Sequence, residues 1–331
     1  MSNYLVTGAN GFIGRHLIAR LLSGGHCVTA LDRSFANIPS EWNAKVKIFT
    51  ADITQKGTLE GVCRDIDFVI HLASKVHDLS LDGGAETEYF LINVYGTANL
   101  LSECSNSGIR HFVFLSSVKA MADEVAYGLD EKSQTHPTTP YGKSKLAAEK
   151  LIAEFGLAQG IATTTIRLPL VYGPGNKGNI YRMMAAVDKF HFVMIGRGNN
   201  KRSMVFVGNV IDALVKVTER TGADGKTYIV TDGRDYSVNE LYRTIARTLD
   251  KRPLPFYVPM LAAKGLAKVG DVGEKIIRRN FPFNSSALEK LTSEFTFSSD
   301  LIQRELGFKP RHDLSNTIAG LVDWYRKNDR R

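Results

Sequence analysis

The chain has 331 residues, of which 44% are apolar and 23% charged, with 29 glycines and 10 prolines. This composition excludes collagen-like, disordered and small disulfide-stapled proteins, and it predicts a soluble globular chain with an ample core. The three cysteines, Cys27, Cys63 and Cys104, lack CxxC spacing, which argues against a disulfide framework or a zinc site. We therefore expect a reducing, cytoplasmic environment.

The net positive charge of the chain does not by itself identify the class of its binding partner. Lys and Arg (42) exceed Asp and Glu (34), for a formal net charge of +8. Such a charge is compatible with nucleic acid, an anionic membrane surface or phosphate-bearing substrates. No apolar run reaches the roughly 18 residues of a membrane span, no signal peptide is evident, and no aromatic stripe alternates with basic residues. We therefore expect no membrane and no nucleic-acid partner, and the histidine spacing predicts no metal site.

Short β-branched segments alternate with helix-length segments over the first half of the chain. This alternation predicts βαβ crossovers and an α/β fold of Rossmann type, with a doubly wound parallel sheet. The rhythm ends after residues 173–175, which predicts a first domain over 1–172 and a smaller mixed α/β lobe over 173–331, with a soft boundary and chain crossings. The predicted strands are Tyr4–Thr7, Cys27–Leu31, Val46–Phe49, Phe68–His71, Phe112–Leu115 and Thr163–Leu168.

A glycine-rich turn, Thr7-Gly8-Ala9-Asn10-Gly11-Phe12-Ile13-Gly14, follows the first predicted strand and opens a helix. Gly8 permits the tight turn, Gly11 lets the backbone approach a pyrophosphate, and Gly14 lets the helix pack on the strand. The free N–H groups and the dipole of the helix N-terminus favour the anion. The turn therefore predicts a dinucleotide site.

Two acidic residues end the next two strands on the same edge of the sheet. Asp32 would accept hydrogen bonds from the adenosine ribose and repel a 2′-phosphate, which favours NAD over NADP. The neighbouring Arg33 could tolerate that phosphate and weakens the preference. Asp52 could meet the adenine amino group or could be an ordinary loop acid, and the sequence leaves both readings open.

Tyr141 and Lys145 occupy positions i and i+4 at the start of a predicted helix. Positions so spaced share one helix face, so we expect the Lys145 charge to lower the phenol pKa from its usual value of ~10. A tyrosine tuned in this way can act as a general base. Ser116 and Ser117 end a buried strand upstream, where a hydroxyl could bond a substrate oxygen, whereas Lys143 is expected to be solvated.

Together these motifs resemble the extended short-chain dehydrogenase/reductase family over essentially the whole chain. Further matching segments are Asp52-Ile53, His71-Leu72-Ala73-Ser74, Asn93-Val94-Tyr95-Gly96-Thr97 and Arg167-Leu168-Pro169-Leu170-Val171-Tyr172-Gly173-Pro174. The resemblance implies Ser117, Tyr141 and Lys145 as catalytic residues, with Tyr141 as acid/base and Lys145 also holding the nicotinamide ribose. The NAD site that it implies comprises Gly8, Asn10, Gly11, Phe12, Ile13, Gly14, Asp32, Arg33, Asp52, Ile53, Leu72, Ala73, Ser74, Asn93, Tyr141, Lys145, Leu168 and Pro169.

The second half is similar to nucleotide-sugar enzymes of the UDP-glucose 4-epimerase-like type. By this resemblance Asn179 and Arg202 bind the diphosphate of a UDP-hexose, and Ser117 binds the sugar. Arg278 is either a second clamp or, with Arg279, a solvated basic face. The implied activity is NAD-dependent 4-epimerisation of UDP-glucose or UDP-N-acetylglucosamine through transient oxidation at C4.

Departures from the epimerase pattern keep other activities open. Ser117 is followed by Val118-Lys119 rather than the Asp-Glu pair of the 4,6-dehydratases, and Asp123-Glu124 comes six and seven residues too late. Lys119 and Leu170 stand where many epimerases have Thr and Asn, which favours an NAD(P)H-dependent reductase of a UDP-4-keto-6-deoxy-N-acetylhexosamine. A non-catalytic dinucleotide sensor is disfavoured, because a sensor needs no general base.

The predicted helices over residues 85–105 and 141–159 bear on the oligomeric state. Two helices from each subunit form a four-helix bundle in many dimers of the family, so a homodimer of this kind is one expectation. The same apolar faces could equally pack on the sheet of their own subunit.

Overall fold

The computed structural model describes residues 1–76, 85–105, 107–123, 125–254, 256–277 and 283–329. Its strands are β1 Asn3–Thr7, β2 Cys27–Asp32, β3 Val46–Thr50, β4 Phe68–His71, β5 His111–Ser117, β6 Ala126–Leu129, β7 Ala162–Leu168, β8 Leu170–Tyr172, β9 Met194–Ile195, β10 Lys201–Phe206, β11 Lys226–Ile229, β12 Asp235–Ser237, β13 Tyr257–Val258 and β14 Phe295–Phe297.

The α-helices are α1 Phe12–Ser23, α2 Ala85–Phe90, α3 Thr97–Cys104, α4 Pro140–Gln159, α5 Asn179–Asp188, α6 Val207–Glu219, α7 Val238–Thr248, α8 Met260–Ile277, α9 Ser285–Thr292, α10 Asp300–Leu306 and α11 Leu314–Asp329. A π-helical turn, Leu91–Gly96, joins α2 to α3, and short 3₁₀ turns lie at Ser40–Trp42, Lys56–Leu59 and Val118–Ala120. In the described ranges, no helix combines the length and the apolar character needed to cross a membrane.

The main sheet confirms the predicted fold class. Within the described residues it has seven strands in the order β11-β7-β5-β4-β1-β2-β3, and every neighbouring pair is parallel. All six predicted strands are present within two residues of their expected bounds. The order reverses direction at β1 and β4, which is the switch point where ligands bind in doubly wound sheets.

Helices cover both faces of this sheet because its strands are apolar on both sides. All four residues of β4, for example, are buried. Leu17 of α1 and Leu214 of α6 belong to the apolar cluster on one face, while Leu100 of α3 and Ile152 of α4 belong to the cluster on the other. This two-sided burial fixes the carboxyl ends of the strands along one edge, where loops can form a site.

The second half forms a smaller mixed lobe. Its sheet has the order β12-β10-β14-β6 with β8 beside β10, so it includes two strands, β6 and β8, from before residue 173. Strand β13 pairs with β9. Helices α5, α7 and α11 share an apolar core around Met184, Leu241 and Leu321. The chain also returns to the first lobe, since β11 pairs with β7 in the main sheet. The boundary near residue 172 therefore stays a prediction, with β11 as one crossing.

Candidate active site

A cavity of about 710 Å³ lies at the carboxyl ends of the central strands. It brings together most of the side chains that the sequence motifs singled out, although they are spread over more than 160 residues of chain. The predicted residues that line it are Gly8, Gly11, Phe12, Ile13, Gly14, Asp32, Arg33, Asp52, Ile53, Leu72, Ala73, Ser74, Ser117, Tyr141, Lys145, Leu168 and Pro169.

The glycine turn between β1 and α1 forms a cradle with no space for side chains. Gly8 has a φ of +64°, and a Cβ there would lie 2.8 Å from the Ala73 backbone nitrogen. A Cβ on Gly14 would lie 2.5 Å from the carbonyl oxygens of Gly8 and Ala9. Helix α1 begins without a side-chain cap and without an acidic residue in its first turn. Its N-terminal N–H groups therefore fit an anionic group such as the pyrophosphate of NAD.

Asp32 and Asp52 are held in place by local hydrogen bonds. Asp32 Oδ2 accepts from the Asn10 backbone N–H at 3.0 Å, and Oδ1 accepts from the Arg33 N–H at 2.8 Å. Asp52 Oδ1 accepts from both the backbone N–H and the hydroxyl of Thr54. The fixed carboxylate of Asp32 on the cavity wall fits a ribose diol.

Two predicted cofactor residues, Asn10 and Asn93, do not line the cavity. The Asn10 amide donates to the carbonyl oxygens of Ser34 and Ala36, so it ties down the loop after β2. Asn93 is 1% exposed, and its Oδ1 accepts hydrogen bonds from the Ser74 hydroxyl at 2.9 Å and from the backbone N–H of Lys75. Both side chains support the cavity wall without lining the cavity. The local sequence does not reveal this position.

The three predicted catalytic side chains meet at one end of the cavity. Ser117 ends β5, and its hydroxyl donates weakly to the Leu168 carbonyl at 3.5 Å. Tyr141 lies in the first turn of α4 and packs against the Tyr89 ring, with centroids 5.8 Å apart. Lys145 Nζ donates to the Leu115 carbonyl at 2.7 Å and lies 3.4 Å from the Ser74 hydroxyl.

The electrostatics of Tyr141 differ from the expectation. Burial raises its pKa to about 12, although its hydrogen bond with Ser117 acts in the opposite direction. Burial also lowers the pKa of Lys145 to about 7, with the Glu149 carboxylate partly opposing this. The predicted lowering of the Tyr141 pKa by Lys145 is therefore wrong for this structure, because the ammonium turns to a backbone carbonyl and loss of hydration dominates.

A buried ion pair joins α4 to the central sheet. Arg167 of β7 donates from Nε and Nη2 to the two oxygens of Glu149, at 3.0 and 2.6 Å. The Ser116 hydroxyl donates to the same carboxylate at 2.5 Å. Glu149 lies one helical turn after Lys145, so the pair fixes the register of α4 against β5 and β7.

Of the predicted substrate residues, Ser117 lines this cavity, whereas Asn179 and Arg202 do not. Asn179 is the first residue of α5 and is exposed. Arg202 of β10 donates to the Lys290 carbonyl in α9, and burial lowers its pKa. Arg278 and its neighbour Arg279 lie outside the described residues. The roles of these residues in substrate binding therefore stay predictions.

Several cavity residues were missed by the sequence reasoning. Asn176 and Lys177 line the cavity from the loop before α5, and Lys75 forms an ion pair of 2.5 Å with Glu88. Gly175 and Gly178 mark the loop before α5, so Asn176 and Lys177 could have been singled out from the sequence. The other missed residues are Leu31, Ala51, Val76, Ile92, Leu115, Val171 and Gly175.

Asp123 has a structural role away from the cavity. Its two oxygens accept hydrogen bonds from the backbone N–H groups and hydroxyls of Thr138 and Thr139. Burial alone would raise the Asp123 pKa, but these four bonds outweigh it and lower the pKa. The carboxylate thereby anchors the start of α4, and the next residue, Glu124, lies outside the described residues.

Comparison with known proteins gives consistent matches. A UDP-glucose 4-epimerase of Vibrio cholerae is 29% identical over 316 residues, covering 94% of this chain and 91% of the relative. An N-acetyl-alpha-D-glucosaminyl-diphospho-ditrans,octacis-undecaprenol 4-epimerase of Escherichia coli O157:H7 is 26% identical over 323 residues, or 96% and 93% of the two chains. The solved structure of MoeE5 in complex with UDP-glucuronic acid and NAD is 26% identical, with a TM-score of 0.76, over 98% of this chain and 99% of that one.

The family model that matches is described as the NAD dependent epimerase/dehydratase family, and it covers residues 4–231. This range includes the glycine cradle, the two strand-end acids and the Ser117, Tyr141 and Lys145 cluster. The expected enzymatic nature and NAD dependence are confirmed at the level of the family. By this match over well more than half of its length, the chain belongs to the NAD-dependent epimerase/dehydratase family.

Proposed function

We propose that this protein is an NAD-dependent nucleotide-sugar 4-epimerase of the UDP-glucose or UDP-N-acetylglucosamine type. The observation that carries the proposal is the common cavity of Ser117, Tyr141 and Lys145 with the glycine cradle and Asp32. The names of the curated relatives from Vibrio cholerae and Escherichia coli, both 4-epimerases, support it. We assign the NAD site to residues 1–172, the sugar-nucleotide site to 173–331, and the protein to the cytoplasm.

NAD, when bound, supplies a hydride acceptor and donor at the sugar C4. The glycine cradle and the N-terminus of α1 hold its pyrophosphate, and Asp32 binds the adenosine ribose. Leu168 and Pro169 form the wall beside Ser117, so the reacting end of the cavity is partly apolar. These residues position the reacting groups, and such positioning lowers the barrier of the reaction.

The protein's own residues move the proton. Tyr141 takes the proton of the sugar 4-hydroxyl and later returns it, while the Ser117 hydroxyl bonds the same sugar oxygen. Because burial raises the phenol pKa to about 12, the phenolate needs nearby positive charge to form. The Lys145 ammonium supplies it when it turns from the Leu115 carbonyl, 2.7 Å away, toward the phenol. No net oxidation of the sugar results from the cycle.

The sugar must turn over within the cavity, so its UDP part has to provide the anchoring. We assign this anchoring to Asn179, Arg202 and Arg278, together with Asn176 and Lys177 on the cavity wall. Guanidinium and ammonium groups suit a diphosphate. The hexose itself is then free to present either face of C4.

A second candidate is the NAD(P)H-dependent reduction of a UDP-4-keto-6-deoxy-N-acetylhexosamine. Lys119 and Leu170 favour it, since they replace residues of the epimerase pattern. The Lys119 ammonium lies 4.9 Å from the centre of the Phe295 ring, so this side chain reaches toward the second lobe. A protonated Tyr141 is also the form that donates a proton to a keto oxygen. Dehydration has less support, because Asp123 is engaged with Thr138 and Thr139.

The experiment starts from protein purified without added cofactor. After denaturation the supernatant is assayed for released NAD, and intact protein is incubated with UDP-glucose and UDP-N-acetylglucosamine. Released NAD together with conversion to the 4-epimer supports the epimerase. An empty protein that leaves both sugars unchanged, but oxidises NADH or NADPH with a UDP-4-keto sugar, would transfer the proposal to the reductase.

The residue assignment is tested with Tyr141→Phe and a control on the same helix. Tyr141→Phe should lower turnover at least ~100-fold and leave NAD content unchanged, because general acid–base catalysis contributes about that much. Lys143→Gln, at an exposed position, should retain full activity. Turnover by Tyr141→Phe at the rate of the parent protein would contradict the acid/base role.

A further inference from the structure

Four large apolar side chains of helix α8 are exposed. Leu261, Leu266, Val269 and Val272 are 84, 60, 65 and 56% exposed. The inner side of α8 carries small residues, of which Ala263 and Ala267 are at most 1% exposed and belong to a small apolar cluster with Leu288 of α9. A helix on the surface of a globular protein normally buries its large apolar residues, whereas α8 exposes these four and buries alanines.

Two exposed aromatic residues precede the helix in the sequence. Phe256 and Tyr257 are 60 and 47% exposed and lie within five residues of Leu261. Contiguous exposed apolar side chains of this kind mark an interaction surface, whereas single ones need no explanation. We call the exposed side chains Phe256, Tyr257, Leu261, Leu266, Val269 and Val272 the α8 face.

The charge around the α8 face is positive. Lys264 and Lys268 are exposed on the same helix, and within the described part of the chain neither has a carboxylate partner. These two lysines therefore border the exposed apolar side chains in the first half of α8.

The two acidic residues of α8, Asp271 and Glu274, form hydrogen bonds with the start of α9. Both oxygens of Asp271 accept from Ser285, one from its backbone N–H at 2.9 Å and one from its hydroxyl at 2.6 Å. Glu274 Oε1 accepts from the Asn284 side chain at 2.8 Å. These bonds direct the two carboxylates toward the start of α9, away from the α8 face.

We propose that the α8 face binds the surface of an anionic lipid bilayer, with α8 lying in the plane of the interface. Apolar side chains that enter the headgroup region, with lysines beside them, are the pattern of interfacial helices. Aromatic residues are also enriched at that depth. A second copy of this chain fits less well, because a symmetric contact would bring Lys264 and Lys268 of both copies together. This inference departs from the expectation of no membrane partner and is independent of the reaction.

Binding at this face would place the second lobe against the bilayer. Helix α9, which packs on α8, also accepts a hydrogen bond from Arg202 through the Lys290 carbonyl. The membrane contact would therefore lie beside an element that holds a proposed substrate residue. The chain would attach peripherally, through one helix, and high ionic strength would release it.

The test is co-sedimentation of the full chain with vesicles of two compositions. One is phosphatidylcholine alone, and the other contains about 30% phosphatidylglycerol, a negatively charged lipid. We expect binding to the anionic vesicles only, weakened by 0.5 M salt. Lys264→Glu combined with Lys268→Glu should weaken binding at least ~20-fold, since each cation contributes roughly fivefold near such a surface. Leu261→Ser combined with Val272→Ser should weaken it comparably.

The matched control is Lys143→Glu combined with Lys150→Glu, two exposed lysines on α4, which should bind like the parent. Circular dichroism and thermal unfolding of every variant establish that the fold is retained. Three results would overturn the proposal: no binding of the parent chain, equal loss in the α4 control, or a dimer that Leu261→Ser and Val272→Ser dissociate without any vesicle binding. None of these readouts depends on turnover.

Discussion

The Arg167 guanidinium lies 2.6 Å from the Glu149 carboxylate, and both side chains are only 7% exposed. This pair joins β7 to α4 directly behind Lys145. Removing one partner leaves the other charge buried and unpaired, which costs about 3–5 kcal/mol. We therefore expect Glu149→Leu to lower the free energy of unfolding by about that amount, measured by urea denaturation at pH 7.

The control for this prediction is an exposed ion pair. Arg326 and Asp250 lie 3.2 Å apart, with side chains 41 and 86% exposed. Asp250→Asn should change the free energy of unfolding by less than about 1 kcal/mol. Equal effects of Glu149→Leu and Asp250→Asn would show that the buried pair does not stabilise the fold.

Gly8 and Gly25 share a left-handed backbone but differ in their surroundings. Their φ angles are +64° and +74°, and a Cβ on Gly8 would meet Ala73, whereas one on Gly25 would meet nothing within 4 Å. Gly25→Ala should cost about 1–2 kcal/mol of stability and leave NAD affinity unchanged. Gly8→Ala should cost more stability and also weaken NAD binding, because the cradle must open to admit the methyl group. Calorimetric titration measures the NAD affinity of each variant, and urea unfolding measures its stability. Equal NAD affinities of Gly8→Ala and the parent protein would contradict the role of the glycine cradle.

Two buried histidines make the fold sensitive to acid. Burial lowers the pKa of His71 to about 3 and of His111 to about 4. Below pH 6.5 the unfolded chain binds protons that the native imidazoles do not, so stability falls as pH falls toward the folded pKa values. From pH 6.5 to 4.5 each histidine should cost about 2–3 kcal/mol.

The measurement is urea unfolding at the two pH values. His71→Gln should remove about half of the pH-dependent loss, although it also disturbs the hydrogen bonds of the ring with Thr7 and Thr97 at 2.6 and 2.9 Å. The quantity to compare is therefore the slope of the free energy of unfolding against pH, rather than the free energy of unfolding at one pH. His136→Gln, at an exposed position, serves as control, and a parent-like slope in His71→Gln would refute the assignment.

Asp32 should set the preference for NAD over NADP. Asp32→Asn keeps an acceptor for the Asn10 N–H, 3.0 Å away in the parent, but removes the charge. We expect NAD binding to weaken ~10-fold or more, because hydrogen bonds to charged groups are worth about 1.5–3 kcal/mol. NADP binding should strengthen, and the additional change Arg33→Ala should reverse that gain. Fluorescence titration with both dinucleotides gives the ratio, and an unchanged ratio would contradict the role of Asp32.

We also propose that the chain forms a homodimer through the helices of residues 85–104 and α4. These helices pack together within one subunit and leave Leu91 and Tyr95 46 and 63% exposed. Tyr95→Glu should shift the protein to monomers in sedimentation velocity, since burying a carboxylate in an apolar contact is costly. Tyr127→Glu on β6, where the parent side chain is 69% exposed, is the matched control. A parent-like mass for Tyr95→Glu would rule out this interface.

The alternation of strand-length and helix-length segments predicted the main sheet, because burial on both faces leaves a short continuous apolar run in each strand. The same local character made the glycine turn and the i, i+4 spacing of Tyr141 and Lys145 recognisable. All of these features depend on residues close together in the chain.

The tertiary structure alone decided how distant residues meet. It turned Lys145 toward the Leu115 carbonyl, reversed the expected direction of the Tyr141 pKa shift, and placed Asn93 behind the cavity rather than on its wall. It also brought β11 back to the first lobe and left four large apolar side chains of α8 exposed. Hydration and long-range contacts govern these features, and neither is encoded in the spacing of neighbouring residues.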